Sequence, residues 1–131
     1  MEHLISIVMP VYNAAPFLKD AVDSLLNQSF RDFELIVVDD ASTDASLEIL
    51  LSYDDPRILI LQNTTNLGNY PSRNKAMSVA KGRYICVMDA DDMAMPDRLD
   101  VQFRFLESHP EVLACGSAYR IIGDDRIYAG L

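Results

Sequence analysis

Four short apolar runs, each followed by a stretch whose apolar residues switch to helical spacing, constrain this chain more than any other feature. Leu4–Met9 is nearly continuous, rich in β-branched residues and stopped by Pro10. It predicts a strand buried on both faces. From Pro16 the residues Leu18, Ala21, Val22, Leu25 and Leu26 recur at helical period as far as about Gln28, which predicts an amphipathic helix with proline in its first turn. Phe33–Val38 is the second strand. Asp39-Asp40-Ala-Ser-Thr-Asp44 follows it and opens a helix carrying Leu47, Leu50 and Leu51, with Asp40 or Ser42 expected as its cap.

The alternation continues with a strand at Ile58–Leu61, a polar loop from Asn63 to Pro71 and a small-residue helix over Ser72–Ala80. Gly82 is expected in the left-handed position past that helix. Tyr84–Met88 is the fourth strand. Pro96 opens a helix with Leu99, Phe103 and Leu106 on one stripe, and Val112–Ser117 reads as the start of a fifth strand. Strands alternating with helices require right-handed crossovers, hence an α/β fold with a mainly parallel sheet covered by helices.

At 131 residues the chain fits one domain, 1–131. A net charge of −9 argues against a phosphate-backbone binder, because nucleic-acid affinity depends on Lys and Arg neutralising phosphates. Neither a secretory signal nor an apolar stretch of membrane-crossing length is visible, so a cytoplasmic location is expected, with membrane association open for a longer protein. Cys86 and Cys115 lie in apolar runs and read as buried thiols.

In an open α/β sheet, ligands bind outside the carboxyl ends of the strands. Three polar clusters fall at that edge: Pro10-Val-Tyr12-Asn13, Asp39-Asp40 and Asp89-Ala-Asp91-Asp92. Three carboxylates within four residues repel one another unless a cation compensates, and Mg²⁺ takes one or two carboxylates together with phosphate oxygens. The plainer alternative is an acidic turn. Asp39 or Asp40 suits a base imide N–H or a ribose hydroxyl, and Tyr12 suits either base stacking or packing on the domain edge. Arg73 and Lys75 offer cations near a helix start where a diphosphate could be met, the alternative being a surface ion pair. Arg98 is expected to pair with Asp97, Asp100 or a preceding acid. Phosphate-binding Gly-rich loops, the dinucleotide fingerprint and the serine-nucleophile elbow are all missing from the sequence.

The order Ser6-Ile-Val-Met-Pro-Val-Tyr-Asn13, Leu35-Ile-Val-Val-Asp-Asp-Ala-Ser-Thr-Asp44, Asn66-Leu-Gly68 with Arg73-Asn74, Gly82-Arg-Tyr-Ile85, and Met88-Asp-Ala-Asp-Asp92 with Pro96-Asp-Arg-Leu99 resembles family 2 glycosyltransferases over essentially the whole chain. That resemblance implies a three-layer α/β/α, Rossmann-like GT-A fold and metal-assisted, inverting transfer from a nucleoside-diphosphate sugar, usually a UDP-sugar. Transfer would be to a hydroxyl of a saccharide, lipid or protein, as in polysaccharide or cell-envelope glycan synthesis. Pro10, Tyr12 and Asn13 would line the nucleobase pocket, and Asp40 or Asp39 would bond the base. Asp89 would approach the ribose or donor sugar, Asp91 would hold Mg²⁺ or Mn²⁺ with Asp89 beside it, and Arg73 would sit in the family's Ala-Arg-Asn segment, with Ser72 in place of alanine. The family's general base lies in a later acceptor-binding half, so this chain is expected to carry no catalytic base and to be truncated before that half; apolar surface exposed by such truncation could promote a homodimer. A non-catalytic nucleotide-binding module and a sugar nucleotidyltransferase are the competing readings. The latter is disfavoured because Pro10–Ala15 carries no basic residue.

Overall fold

The computed structural model describes residues 3–124 and 126–128. Four strands, β1 (Ile5–Val11), β2 (Phe33–Asp39), β3 (Ile58–Gln62) and β4 (Tyr84–Val87), form one sheet in the order β3-β2-β1-β4, and every neighbouring pair is parallel. The two central strands are buried along their whole length, which is why their sequences run continuously apolar instead of alternating. Helices α1 (Ala15–Leu26), α2 (Ser46–Leu51), α3 (Asn69–Val79) and α4 (Arg98–Ser108) form the crossovers and the cover.

The pleat divides the core in two. Ile7, Met9, Leu35 and Val37 point to one face, where Leu18, Val22 and Leu25 of α1, Leu50 of α2 and Leu99 of α4 meet them. Val8, Ile36 and Val38 point to the other and pack on Ala76 of α3. Successive strand residues face opposite sides, so one sheet supports two helical layers, as the sequence predicts. No helix among the described residues is long and apolar enough to cross a membrane.

Gln28, fully buried just beyond α1, joins two distant helices. Its side-chain amide donates to the carbonyls of Ser24 and Met95, and its oxygen accepts the Leu99 N–H at 3.1 Å. The last bond satisfies a first-turn N–H of α4 that has no partner within the helix.

Several sequence expectations are corrected. Gly82 does not take a left-handed cap conformation, and α3 ends on an extended Ala80. The glycine is required by proximity: a Cβ there would lie 2.4 Å from the Ser6 backbone nitrogen. Its N–H instead donates to Ser6 Oγ, and Ser6 Oγ donates to the buried Glu34 carboxylate at 2.6 Å. Neither Asp40 nor Ser42 caps α2. Ala45 is the N-cap residue without a side-chain bond, and Asp44 accepts the Ser46 N–H. Residues 112–117 form no strand; Leu113 is almost wholly exposed. An apolar run becomes a strand only where a sheet edge pairs with it, and no such pairing forms here. The only strands after α4 among the described residues are β5 (Tyr119–Arg120) and β6 (Ile127–Tyr128), a short antiparallel pair.

Candidate functional site

Parallel register brings three strand ends to one edge. Val11 pairs with Asp39, and the Asp40 N–H donates to the Val11 carbonyl at 2.8 Å. The Met88 N–H donates to the Val8 carbonyl, so the acidic segment after β4 emerges beside the loop after β1. Between them opens a cleft of about 480 Å³, lined by Pro10, Tyr12, Asn13, Asp40, Asp89 and Asp91 among others. Six of the eight residues that the sequence points to for the donor therefore share one cavity.

Each plays a distinct local part. Tyr12 lines the cleft and is half exposed. Asn13 has a positive φ of 48°, and its side-chain oxygen accepts the N–H groups of Thr43 and Asp44. Asn tolerates the left-handed region better than most residues. Its own N–H donates to Ser42 Oγ, so Asn13 stitches the first loop to the second. The second loop carries its own left-handed residue, Ala41, at φ 59°.

Asp39 and Asp40 are both 3% exposed but differ in use. Asp39 Oδ2 receives only a long 3.4 Å contact from the Ser42 N–H, and its Oδ1 is buried with no partner among the described residues. Asp40 is saturated by comparison. Its Oδ1 accepts the Asn63 amide and the Leu67 N–H, and its Oδ2 accepts the Gly68 N–H. Burial works to raise the Asp40 pKa, but these donors together with Ser72 outweigh it and hold the carboxyl below its ordinary value. The left-handed Gly68, at φ 96°, turns its N–H inward for this purpose.

Asp89, Asp91 and Asp92 are exposed and can each offer an oxygen such that all three lie within 4.8 Å of one another. Partial burial, then the charges of Asp91 and Asp89, raise the pKa of Asp92. Hard oxygen ligands, mutual repulsion and solvent access fit a divalent cation that keeps some of its waters. Arg73, first of the two residues outside the cleft lining, reaches it through Asp89: its Nη2 donates to Asp89 Oδ1 at 3.2 Å, while its Nε is buried with no partner among the described residues. The other is Asp39.

Two basic residues depart from expectation. Lys75 does not line the cleft; its ammonium donates to the Gln62 carbonyl and to Asn63 Oδ1 at the carboxyl end of β3. Arg98 makes no ion pair within 4 Å among the described residues and instead donates to the Val87 carbonyl, Met88 Sδ and Gln102. It ties the first turn of α4 to the end of β4. Sequence reasoning missed Phe17, Asn66 and Asn69 as cleft walls and Asn63 behind them. For Phe17 a signal existed: an aromatic in the first turn of a helix that starts at the edge. For Asn63 there was none.

The model for glycosyl transferase family 2 matches residues 6–130. The Escherichia coli UDP-Glc:alpha-D-GlcNAc-diphosphoundecaprenol beta-1,3-glucosyltransferase WfaP is 33% identical over 116 residues, 88% of this chain and 46% of that protein. Staphylococcus aureus TarS 1-349 in complex with UDP superposes with a TM-score of 0.77 at 32% identity, over 84% of this chain and 33% of that one. The mannosyltransferase PcManGT from Pyrobaculum calidifontis, in complex with GDP-Man and Mn²⁺, gives 0.74 at 25% identity, over 81% and 33%. The chain spans less than half the length of these relatives. The fold is the GT-A, Rossmann-like arrangement of these neighbours. With the family model covering nearly the whole sequence and an acidic, metal-competent cleft at the expected sheet edge, the chain belongs to glycosyl transferase family 2.

Proposed function

We propose that this chain binds the donor for a metal-assisted, inverting glycosyl transfer from a UDP-sugar to an acceptor hydroxyl. The observation that carries the reading is the meeting of Asp40, Asp89 and Asp91 in one cleft whose mouth holds a half-exposed Tyr12. The solved relatives hold UDP in one case and GDP-Man with Mn²⁺ in the other.

In this reading Tyr12 stacks on the base, Pro10 and Asn13 shape its pocket, and Asp40 accepts the imide N–H, with Asp39 beside it. Asp89 approaches the ribose or sugar. Asp91, flanked by Asp89, holds Mg²⁺ or Mn²⁺, which when bound neutralises charge on the departing diphosphate. Arg73 moves its charge between Asp89 and the diphosphate, an exchange suited to a half-exposed ion pair that costs little to break. No general base is assigned among the cleft carboxylates, because in this reading Asp40 accepts from the base, Asp89 approaches the ribose or sugar and Asp91 holds the metal. The undecaprenol-linked acceptor named for WfaP makes an envelope glycan precursor the acceptor class to try first.

Calorimetric titration of UDP with and without Mn²⁺, repeated on Asp91→Ala, tests this. Metal-dependent binding that the substitution abolishes is expected. Binding that ignores both the metal and the substitution rules the site out.

A further inference from the structure

We infer that Asn63 is a positioning residue for nucleobase selection, its amide locking the Asp40 carboxylate that lines the cleft; the inference rests on the donor-binding reading above. Asn63 is 8% exposed at the end of β3 and makes no contribution to the cleft lining itself. Its Nδ2 donates to Asp40 Oδ1 at 2.9 Å and to Ser72 Oγ at 3.0 Å, while its Oδ1 accepts from Lys75 Nζ at 2.9 Å. All the polar capacity of the amide on the donor side is therefore committed.

Chemistry fixes which way this amide points. An ammonium only donates, so the Asn63 atom facing Lys75 is oxygen. An ionised carboxylate only accepts, so the atom facing Asp40 is nitrogen. A flipped amide would oppose both neighbours at once. The substitution of Ser72 for a small apolar residue now has a use, since its hydroxyl accepts the second amide hydrogen.

The consequence falls on Asp40. Asn63 and the Leu67 N–H occupy Oδ1, whereas Oδ2 has one N–H donor, from Gly68. Oδ2 is thus the oxygen with greater capacity to accept from a ligand. A carboxylate held in this orientation favours a base edge that presents an N–H, such as the uracil imide, and repels the unprotonated ring nitrogen of cytosine. Without Asn63 the carboxylate keeps only the Leu67 and Gly68 N–H groups, its orientation is held less tightly, and the discrimination weakens.

The test is calorimetric titration in Mn²⁺ of the wild-type chain, Asn63→Ala and Lys75→Met with UDP, CDP and inorganic pyrophosphate. Loss of one charge-assisted bond predicts UDP binding weakened about tenfold, with CDP and pyrophosphate within about twofold of wild type. A general structural defect would weaken all three ligands together and would overturn the role, as would an unchanged UDP-to-CDP preference in both variants. Lys75 is exposed, so Lys75→Met decides the matter where Asn63→Ala fails to fold. Absence of UDP binding by the wild type overturns the donor-binding reading and the positioning role together. Wild-type selectivity that persists in the variants overturns the positioning role alone.

Discussion

The guanidinium of Arg73 lies 3.2 Å from the carboxylate of Asp89, joining α3 to the loop after β4 beside the acidic cleft. This contact links the residue from the Asn66–Asn74 segment to the metal-competent triad, and it places one positive charge beside three negative ones. Removing that charge separates stability from binding. Arg73→Met is expected to change unfolding free energy by less than about 1 kcal/mol, because half-exposed ion pairs contribute little. The same variant is expected to weaken Mn²⁺-dependent UDP binding about tenfold, the scale of a lost charge-assisted bond. Urea unfolding and calorimetry on one preparation check both.

Ala41 holds φ 59° in the loop that Asn13 clamps. A residue with a Cβ is strained there, whereas glycine is not. Ala41→Gly is expected to raise stability by up to about 1 kcal/mol, and Ala41→Val to lower it by more than that. The urea midpoint reads both, and a destabilised glycine variant contradicts the account.

Gly82 gives the opposite case. Its constraint is contact with β1, not dihedral freedom, since the nearest atoms to an added methyl are Ser6 N, Ser6 Oγ and Ile5 C, two of them backbone. Backbone cannot move aside as a flexible side chain can. Gly82→Ala is expected to cost about 2 kcal/mol or more and to disturb the Ser6–Glu34 bond beneath it. Thermal unfolding close to wild type would show that β1 and the turn separate easily.

Asp40 and Asp92 impose opposite pH dependences. The folded-state pKa of Asp40 is depressed, so its contribution is fully present above the unfolded carboxylate value of about 3.9 and is lost as pH falls through the lower folded value. Asp40→Asn should therefore destabilise the chain at neutral pH and flatten its acid unfolding. The folded-state pKa of Asp92 is raised, so its contribution is present below the unfolded value and lost as pH rises through the folded one. In chelator, Asp92→Asn should raise the urea midpoint at pH 7, and it should weaken Mn²⁺ binding. Urea titrations at pH 3 to 7 with and without Mn²⁺ measure both effects.

What the sequence determined by itself is the alternation of β1 to β4 with α1 to α4, because burial period is a property of consecutive residues. The runs at Leu4–Met9 and Phe33–Val38 read as strands buried on both faces, and Leu18, Val22 and Leu25 as the inner stripe of a helix, although β1 in fact continues through Pro10 to Val11. Strand order then carried Tyr12, Asp40 and Asp89 to one edge. The tertiary structure decided what each polar side chain does on arrival. Asp40 binds N–H groups 27 and 28 residues away, Asn63 completes it, Arg98 grips the end of β4, and Gly82 makes room for Ser6. Residues 112–117 stay irregular because strand formation needs a paired edge as well as an apolar pattern. Local pattern selects an element, but a hydrogen-bond partner is selected by whichever donor the folded chain brings within about 3 Å, and no spacing in the sequence encodes that distance.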